Sequence, residues 1–100
     1  MKLHDIEIDE QALAEFCRRN RIRTLSFFGS ITRDDFGPDS DIDTIIEPLP
    51  PDNLSLFDLA RLQEELTRMF GRQVHLHTPD MIHPYFRKRI HGQARQAYAA

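Results

Sequence analysis

The stretch Leu25–Glu47, LSFFGSITRDDFGPDSDIDTIIE, decides the fold: an apolar run enters a Gly-Ser turn, a polar loop follows, and a second apolar run carries two carboxylates at alternate positions. Leu25, Phe27 and Phe28 fit a short buried strand, and Gly29 is the residue type that lets a backbone turn sharply and approach a ligand with no Cβ in the way. Ser30 can start a helix, whose unpaired N–H groups and positive dipole end suit a phosphate. Asp41 and Asp43 stand at i and i+2 in a run continued by Thr44, Ile45 and Ile46, so on a strand they project from one face. Side by side they repel. A divalent cation relieves that repulsion, and hard oxygen ligands are what Mg²⁺ prefers, with a substrate triphosphate supplying the rest of its shell. Each part alone has a plainer reading, since Gly-Ser often precedes a helix and Asp-x-Asp is often a solvated turn. Joined, they say more: the ten residues Ile31 to Ser40 between them, rich in Asp, Gly and Pro, allow a helical turn and a loop that returns to a neighbouring strand. Phosphate donors then lie opposite metal ligands.

Outward from this stretch the chain reads as alternating helices and strands. Residues Met1 to Ile8 carry little pattern and are expected as a loose lead-in. Asp9 caps a helix with Ile8 and Leu13 at the spacing of a hydrophobic staple, Leu13, Phe16 and Cys17 form its buried stripe, and Arg18, Arg19 and Arg21 close it with cations at the negative pole. Arg33, one turn along from Ser30, can reach a phosphate or brace the loop through Asp34, Asp35 or Asp39. Pro48, Pro50 and Pro51 end the Asp41–Glu47 strand. Ser55, with Asp58 in capping-box position, opens the clearest helix, in which Leu56, Leu59, Leu62, Leu66, Met69 and Phe70 repeat at threes and fours, and Gly71 stops it. Val74 and Leu76 alternate with His75 and His77 on the third strand. A last helix spans Tyr85–Gln93 with Phe86 and Ile90 four apart, and residues 94–100 are either an edge strand or a frayed tail.

One hundred residues fit one domain, 1–100, that buries about two-thirds of its unfolded surface. Partner association, including homo-oligomerisation, suits that size. The chain is 40% hydrophobic and 29% charged with net charge −3, which argues against general nucleic-acid affinity. The basic run Arg87, Lys88, Arg89, His91 and Arg95 is explained as cations near a helix end, with contact to RNA the weaker alternative. No apolar run approaches the roughly 18 residues of a membrane span, and no secretory signal is present, so a cytoplasmic protein without membrane contact is expected. The lone Cys17 reads as an inert buried thiol.

Gly29, Ser30, ten residues, then Asp41 and Asp43 resemble the signature of the minimal nucleotidyltransferase (MNT) domains of the polymerase-β-like superfamily, and the resemblance covers most of the chain. It implies an α/β (α+β) nucleotidyltransferase fold, a small mixed β-sheet of three to four strands packed with helices. It implies further that Gly29 and Ser30 cradle the triphosphate and that Asp41 and Asp43 are catalytic and hold Mg²⁺. The implied activity is transfer of a nucleoside monophosphate, AMP from ATP, to a hydroxyl of a partner protein, by an antitoxin paired with a HEPN-type toxin.

The chain departs from that pattern at one place. Catalytic members carry a third carboxylate on the strand after the long helix, in a Val-Asp-Leu setting, where this sequence has Val74, His75 and Leu76. A neutral imidazole brings one nitrogen and no charge to a site whose chemistry rests on positioning and electrostatics. His75 can ligate a transition metal with Asp41 and Asp43, aided by His77. It can also act as general base, or mark a site that binds without catalysing; the plainest reading is a solvated strand histidine. An antitoxin that neutralises its partner by occlusion, without chemistry, is therefore the second functional reading.

Overall fold

The computed structural model describes residues 2–51 and 53–100. Met1 of the expected lead-in lies outside them, and the remainder of that segment is not loose: β1 (Lys2–Leu3) and β2 (Ile6–Glu7) pair as an antiparallel hairpin. Leu3, Ile6 and Ile8 are buried in the core, which is what orders so short a ribbon. Helix α1 (Glu10–Arg19) begins where the Asp9 carboxylate accepts the Ala12 N–H at 3.1 Å, and it buries Leu13, Phe16 and Cys17. Its terminal cations match the helix dipole, and Arg19 also pairs with Glu65, so the cluster is accounted for within the chain.

Strand β3 (Ile22–Phe28) runs into a four-residue 3₁₀ turn, Gly29–Thr32, and the chain returns as β4 (Ile42–Pro48). Helix α2 (Leu56–Phe70) follows, with the Ser55–Asp58 capping box formed on both sides and Gly71 in the left-handed region at φ 69°. Strand β5 (Val74–His77), a 3₁₀ turn at Pro79–Met81, helix α3 (Pro84–Gln93) and β6 (Arg95–Ala99) complete the chain. The sheet order is β5-β4-β3-β6, antiparallel except for the parallel pair β4–β5. The fold is thus a mixed four-stranded sheet with three helices, and residues 95–99 are an edge strand rather than a tail.

Strand alternation assigns the two faces of the sheet. Leu25 and Phe27 of β3, Ile42, Thr44 and Ile46 of β4, and Val74 and Leu76 of β5 are buried, and the apolar ones join Leu13 and Phe16 of α1 and Leu59, Leu62, Leu66 and Phe70 of α2 in one cluster. Asp43, His75 and His77 therefore belong to the opposite face. Two positions expected to be buried fall outside the core: Phe28, half-buried because strand alternation turns it to the face of Asp43 and His77, and Leu56. Leu56, although in phase with the stripe, is 80% exposed, because the first residue of a helix points its side chain back past the helix start. Helix α3 buries none of its residues, and Phe86 is 47% exposed. Among the described residues no helix is long and apolar enough to cross a membrane.

Burial pushes the Cys17 thiol up to about 12. Thiolate, not thiol, is the nucleophile, so Cys17 is expected to resist a thiol-disulfide reagent at mildly alkaline pH and to react fully in denaturant. Rapid labelling of the native chain would show that α1 is not packed as described.

Candidate active site

The site is built by two strand ends and the turn between them. Phe28, the last residue of β3, lies directly across from Asp43 in the β3–β4 register, so the chain turns at Gly29 immediately beside that carboxylate. Gly29 takes φ +76°, and a Cβ placed on it would stand 2.7 Å from Asp43 Oδ2. The Asp43 carboxylate thus rests against bare backbone. Ser30 O accepts the Arg33 N–H at 2.9 Å and Thr32 Oγ1 donates to Gly29 O at 2.7 Å, which fixes the turn from within. The short helical turn that the spacer allows after Ser30 is this 3₁₀ turn. Asp-, Gly- and Pro-rich sequence follows at once and cannot extend it. So short a turn builds little macrodipole, and what it offers a phosphate is its own N–H groups.

Replacing Gly29 by alanine is expected to cost roughly 1–3 kcal/mol, because a non-glycine residue must hold a left-handed backbone and Asp43 must move. A urea midpoint indistinguishable from that of the wild type would show that the contact is absent.

Asp41 lies one residue ahead of β4 and Asp43 within it, with side chains 49% and 33% exposed on an open face of the sheet. The parallel register sets Asp43 beside His75 and Ile45 beside His77. His75 Nε2 donates to Asp41 Oδ2 at 2.8 Å, which brings the residue at the missing-carboxylate position into the site. His77 Nε2 lies 3.7 Å from Asp43 Oδ1, too far for a hydrogen bond, with its ring edge-on to Phe28; this buried nitrogen has no partner among the described residues. Each aspartate therefore faces one histidine.

Among the described residues no three His, Cys, Asp or Glu side chains are arranged to hold a metal. The chain by itself thus offers two hard carboxylates, and a cation would fit there only with further oxygens from a bound nucleotide. Arg33 turns to the loop: its Nε donates to Asp35 Oδ1 at 3.1 Å, and this bond holds the Asp35 carboxyl below its ordinary range.

The sequence reading missed the brace behind the loop. The His4 ring stacks on Phe36 with centroids 4.8 Å apart, and its Nε2 donates to Ile31 O at 3.0 Å. The Arg72 guanidinium lies 4.7 Å from the centroid of the same Phe36 ring and also donates to Gly37 O. Hairpin, loop and the end of α2 are thereby tied together around the spacer that sets the distance from Ser30 to Asp41.

A family model described as "Nucleotidyltransferase domain" matches residues 9–96. Two Methanocaldococcus jannaschii proteins named as protein adenylyltransferases are similar to this chain. One is 36% identical over 76 residues, covering 76% of this chain and 80% of its own length; another is 32% identical over 85 residues, covering 84% and 85%. Among solved structures, a minimal nucleotidyltransferase superposes with TM-score 0.72 at 26% identity, covering 86% of each chain. A toxin–antitoxin structure with AMP-PNP superposes at TM-score 0.76 and 19% identity, covering 93% of this chain and 75% of that one. The MNT antitoxin complex with a tri-AMPylated Shewanella oneidensis HEPN toxin gives TM-score 0.67 at 18% identity, covering 91% and 70%. With its mixed sheet, its Gly29–Ser30 turn and the carboxylate pair at the start of β4, this chain belongs to the nucleotidyltransferase domain family.

Proposed function

We propose that the chain is a protein adenylyltransferase that moves AMP from ATP to a hydroxyl of a HEPN-type partner protein and so acts as the antitoxin of a cytoplasmic pair. The observation that carries this reading is the contact of Asp43 with the Gly29 turn, which holds a metal-type carboxylate against a phosphate-type turn. The names of the M. jannaschii relatives support adenylyl transfer, and the neighbours with AMP-PNP and with an AMPylated HEPN toxin support the nucleotide and the partner class.

In this reading the N–H groups of the Gly29–Ser30 turn hold the triphosphate, with the Asp43 carboxylate immediately beside that turn and Asp41 two residues before Asp43. Mg²⁺ held by Asp41, Asp43 and nucleotide oxygens would supply charge neutralisation at the phosphates. The acceptor oxygen bonds to the α-phosphorus as its proton passes to solvent, the bond from the α-phosphorus to its bridging oxygen breaks, and pyrophosphate leaves with that bond's electron pair. The His75–Asp41 hydrogen bond keeps an imidazole and a carboxylate in fixed relation beside this path.

ATP labelled at the α-phosphate is expected to label a HEPN-type partner, and ATP labelled at the γ-phosphate is not. No incorporation with any nucleotide would overturn the proposal. One observation favours the occlusion reading instead: His75 both replaces a carboxylate and occupies Asp41 Oδ2. Neutralisation of the partner that survives replacement of both aspartates by asparagine would decide for it.

A further inference from the structure

Charge along this chain is segregated. All sixteen Asp and Glu fall in residues 1–80 with nine of the thirteen Lys and Arg, a net of −7, while residues 81–100 hold the other four cations and no carboxylate, a net of +4. Most of that basic segment is helix α3, which packs no buried residue into the core. It displays an apolar group instead: Met81 just before it is 52% exposed, Tyr85 80% and Phe86 47%. The Tyr85 and Phe86 rings meet edge to face at 5.2 Å, and His83 meets Phe86 in the same way at 6.2 Å, so the rings form an ordered surface cluster. Arg87 anchors the helix rather than the patch, since its Nε donates to Pro79 O at 2.9 Å and to Ile82 O at 3.0 Å. Lys88 and Arg89 remain exposed beside the rings.

From this geometry we infer that the exposed face of α3 is a docking surface for the acceptor protein, and that the matching face of that protein is apolar with a carboxylate rim. The inference rests on the reading of the chain as an enzyme acting on a protein. Aromatic residues, Met and Arg are the types enriched in interface cores and hot spots. RNA is disfavoured, because backbone neutralisation needs a broader array of cations than Lys88, Arg89 and Arg95 and does not call for a Met–Tyr–Phe group. A second copy docking α3 against α3 would oppose like charges. Position favours the acceptor: α3 contacts the Gly29–Thr32 turn, and its last residue, Gln93, lines a cavity of about 400 Å³ together with Thr32 and Arg33. At about 1.5 Å per residue, the ten-residue helix sets the aromatic group about 12 Å along its axis from Gln93 at that cavity.

The test selects a displayed library of randomised amphipathic helices on the intact chain without nucleotide, and repeats the selection on the Asp41→Asn chain. Recovered binders are expected to carry Asp and Glu beside an apolar stripe, to weaken with salt, and to lose about tenfold or more in affinity against Tyr85→Ala/Phe86→Ala and against Lys88→Glu/Arg89→Glu. These side chains are exposed, so the variants should keep the wild-type melting temperature. Binders without an acidic surplus, binders indifferent to both variants, or no binders would each overturn the proposal. So would single-stranded oligouridylate binding that the charge variant abolishes, or a dimer of the chain alone that the aromatic variant dissolves. Failure of adenylyl transfer leaves this result untouched, since the Asp41→Asn chain should select the same helices.

Discussion

Asp41→Asn and Asp43→Asn are each expected to lower nucleotide transfer about a thousandfold or more while leaving the melting temperature unchanged or slightly raised. The two substitutions remove charge with almost no change of shape. At position 41 an amide oxygen can still accept from His75 Nε2, so the 2.8 Å hydrogen bond is retained and only the charge is tested. At position 43 the side chain stays in the space that Gly29 leaves open, where the wild-type oxygen stands 2.7 Å from the position of an added Cβ. Relief of repulsion between neighbouring carboxylates should then favour the folded state even as function is lost, the opposite sign from a residue kept for stability. An asparagine variant that keeps more than about a tenth of wild-type transfer would remove that aspartate from the site, since loss of one catalytic electrostatic contact ordinarily costs far more.

What was legible in the sequence was local. The Gly29–Ser30 turn, the Asp41–Asp43 pair, the Ser55–Asp58 capping box and the Gly71 stop are each fixed by residue types a few positions apart, and the structure forms all of them. Residues 95–99 were ambiguous because a short run with three of its five residues exposed takes its state from its neighbour, and only the free edge of β3 makes it a strand. The hairpin of Lys2–Glu7 was illegible for a related reason: two-residue strands show no period, and Leu3 and Ile6 become core residues only once α1 and the sheet exist. The brace of His4, Phe36 and Arg72 joins positions more than thirty residues apart and leaves no local trace. The helical turn at Ser30 stays short because the residues after Thr32 favour a loop over a second turn.

The histidine at position 75 is where sequence and structure together give the sharpest test. Its Nε2 holds Asp41 Oδ2, and the register places its backbone beside Asp43, so the residue stands next to the pair through which the proposed site works. His75→Asp removes the hydrogen bond and places a third carboxylate next to two others. Without a cation the three repel, and the variant should melt below the wild type. With a non-hydrolysable ATP analogue, Mg²⁺ should bind more tightly, by about tenfold for each ~1.4 kcal/mol gained. Transfer should rise with it. His75→Ala separates the remaining roles: an imidazole that takes the acceptor's proton predicts a loss of about a hundredfold or more in rate with Mg²⁺ affinity unchanged. An imidazole that merely holds Asp41 away from the cation predicts tighter Mg²⁺ with the rate kept. Calorimetry of Mg²⁺ with the analogue, read for the wild type and both variants, distinguishes these without reference to turnover. Equal affinity in all three proteins would mean that the metal is not held at Asp41 and Asp43, and adenylyl transfer would then give way to occlusion as the account of this chain.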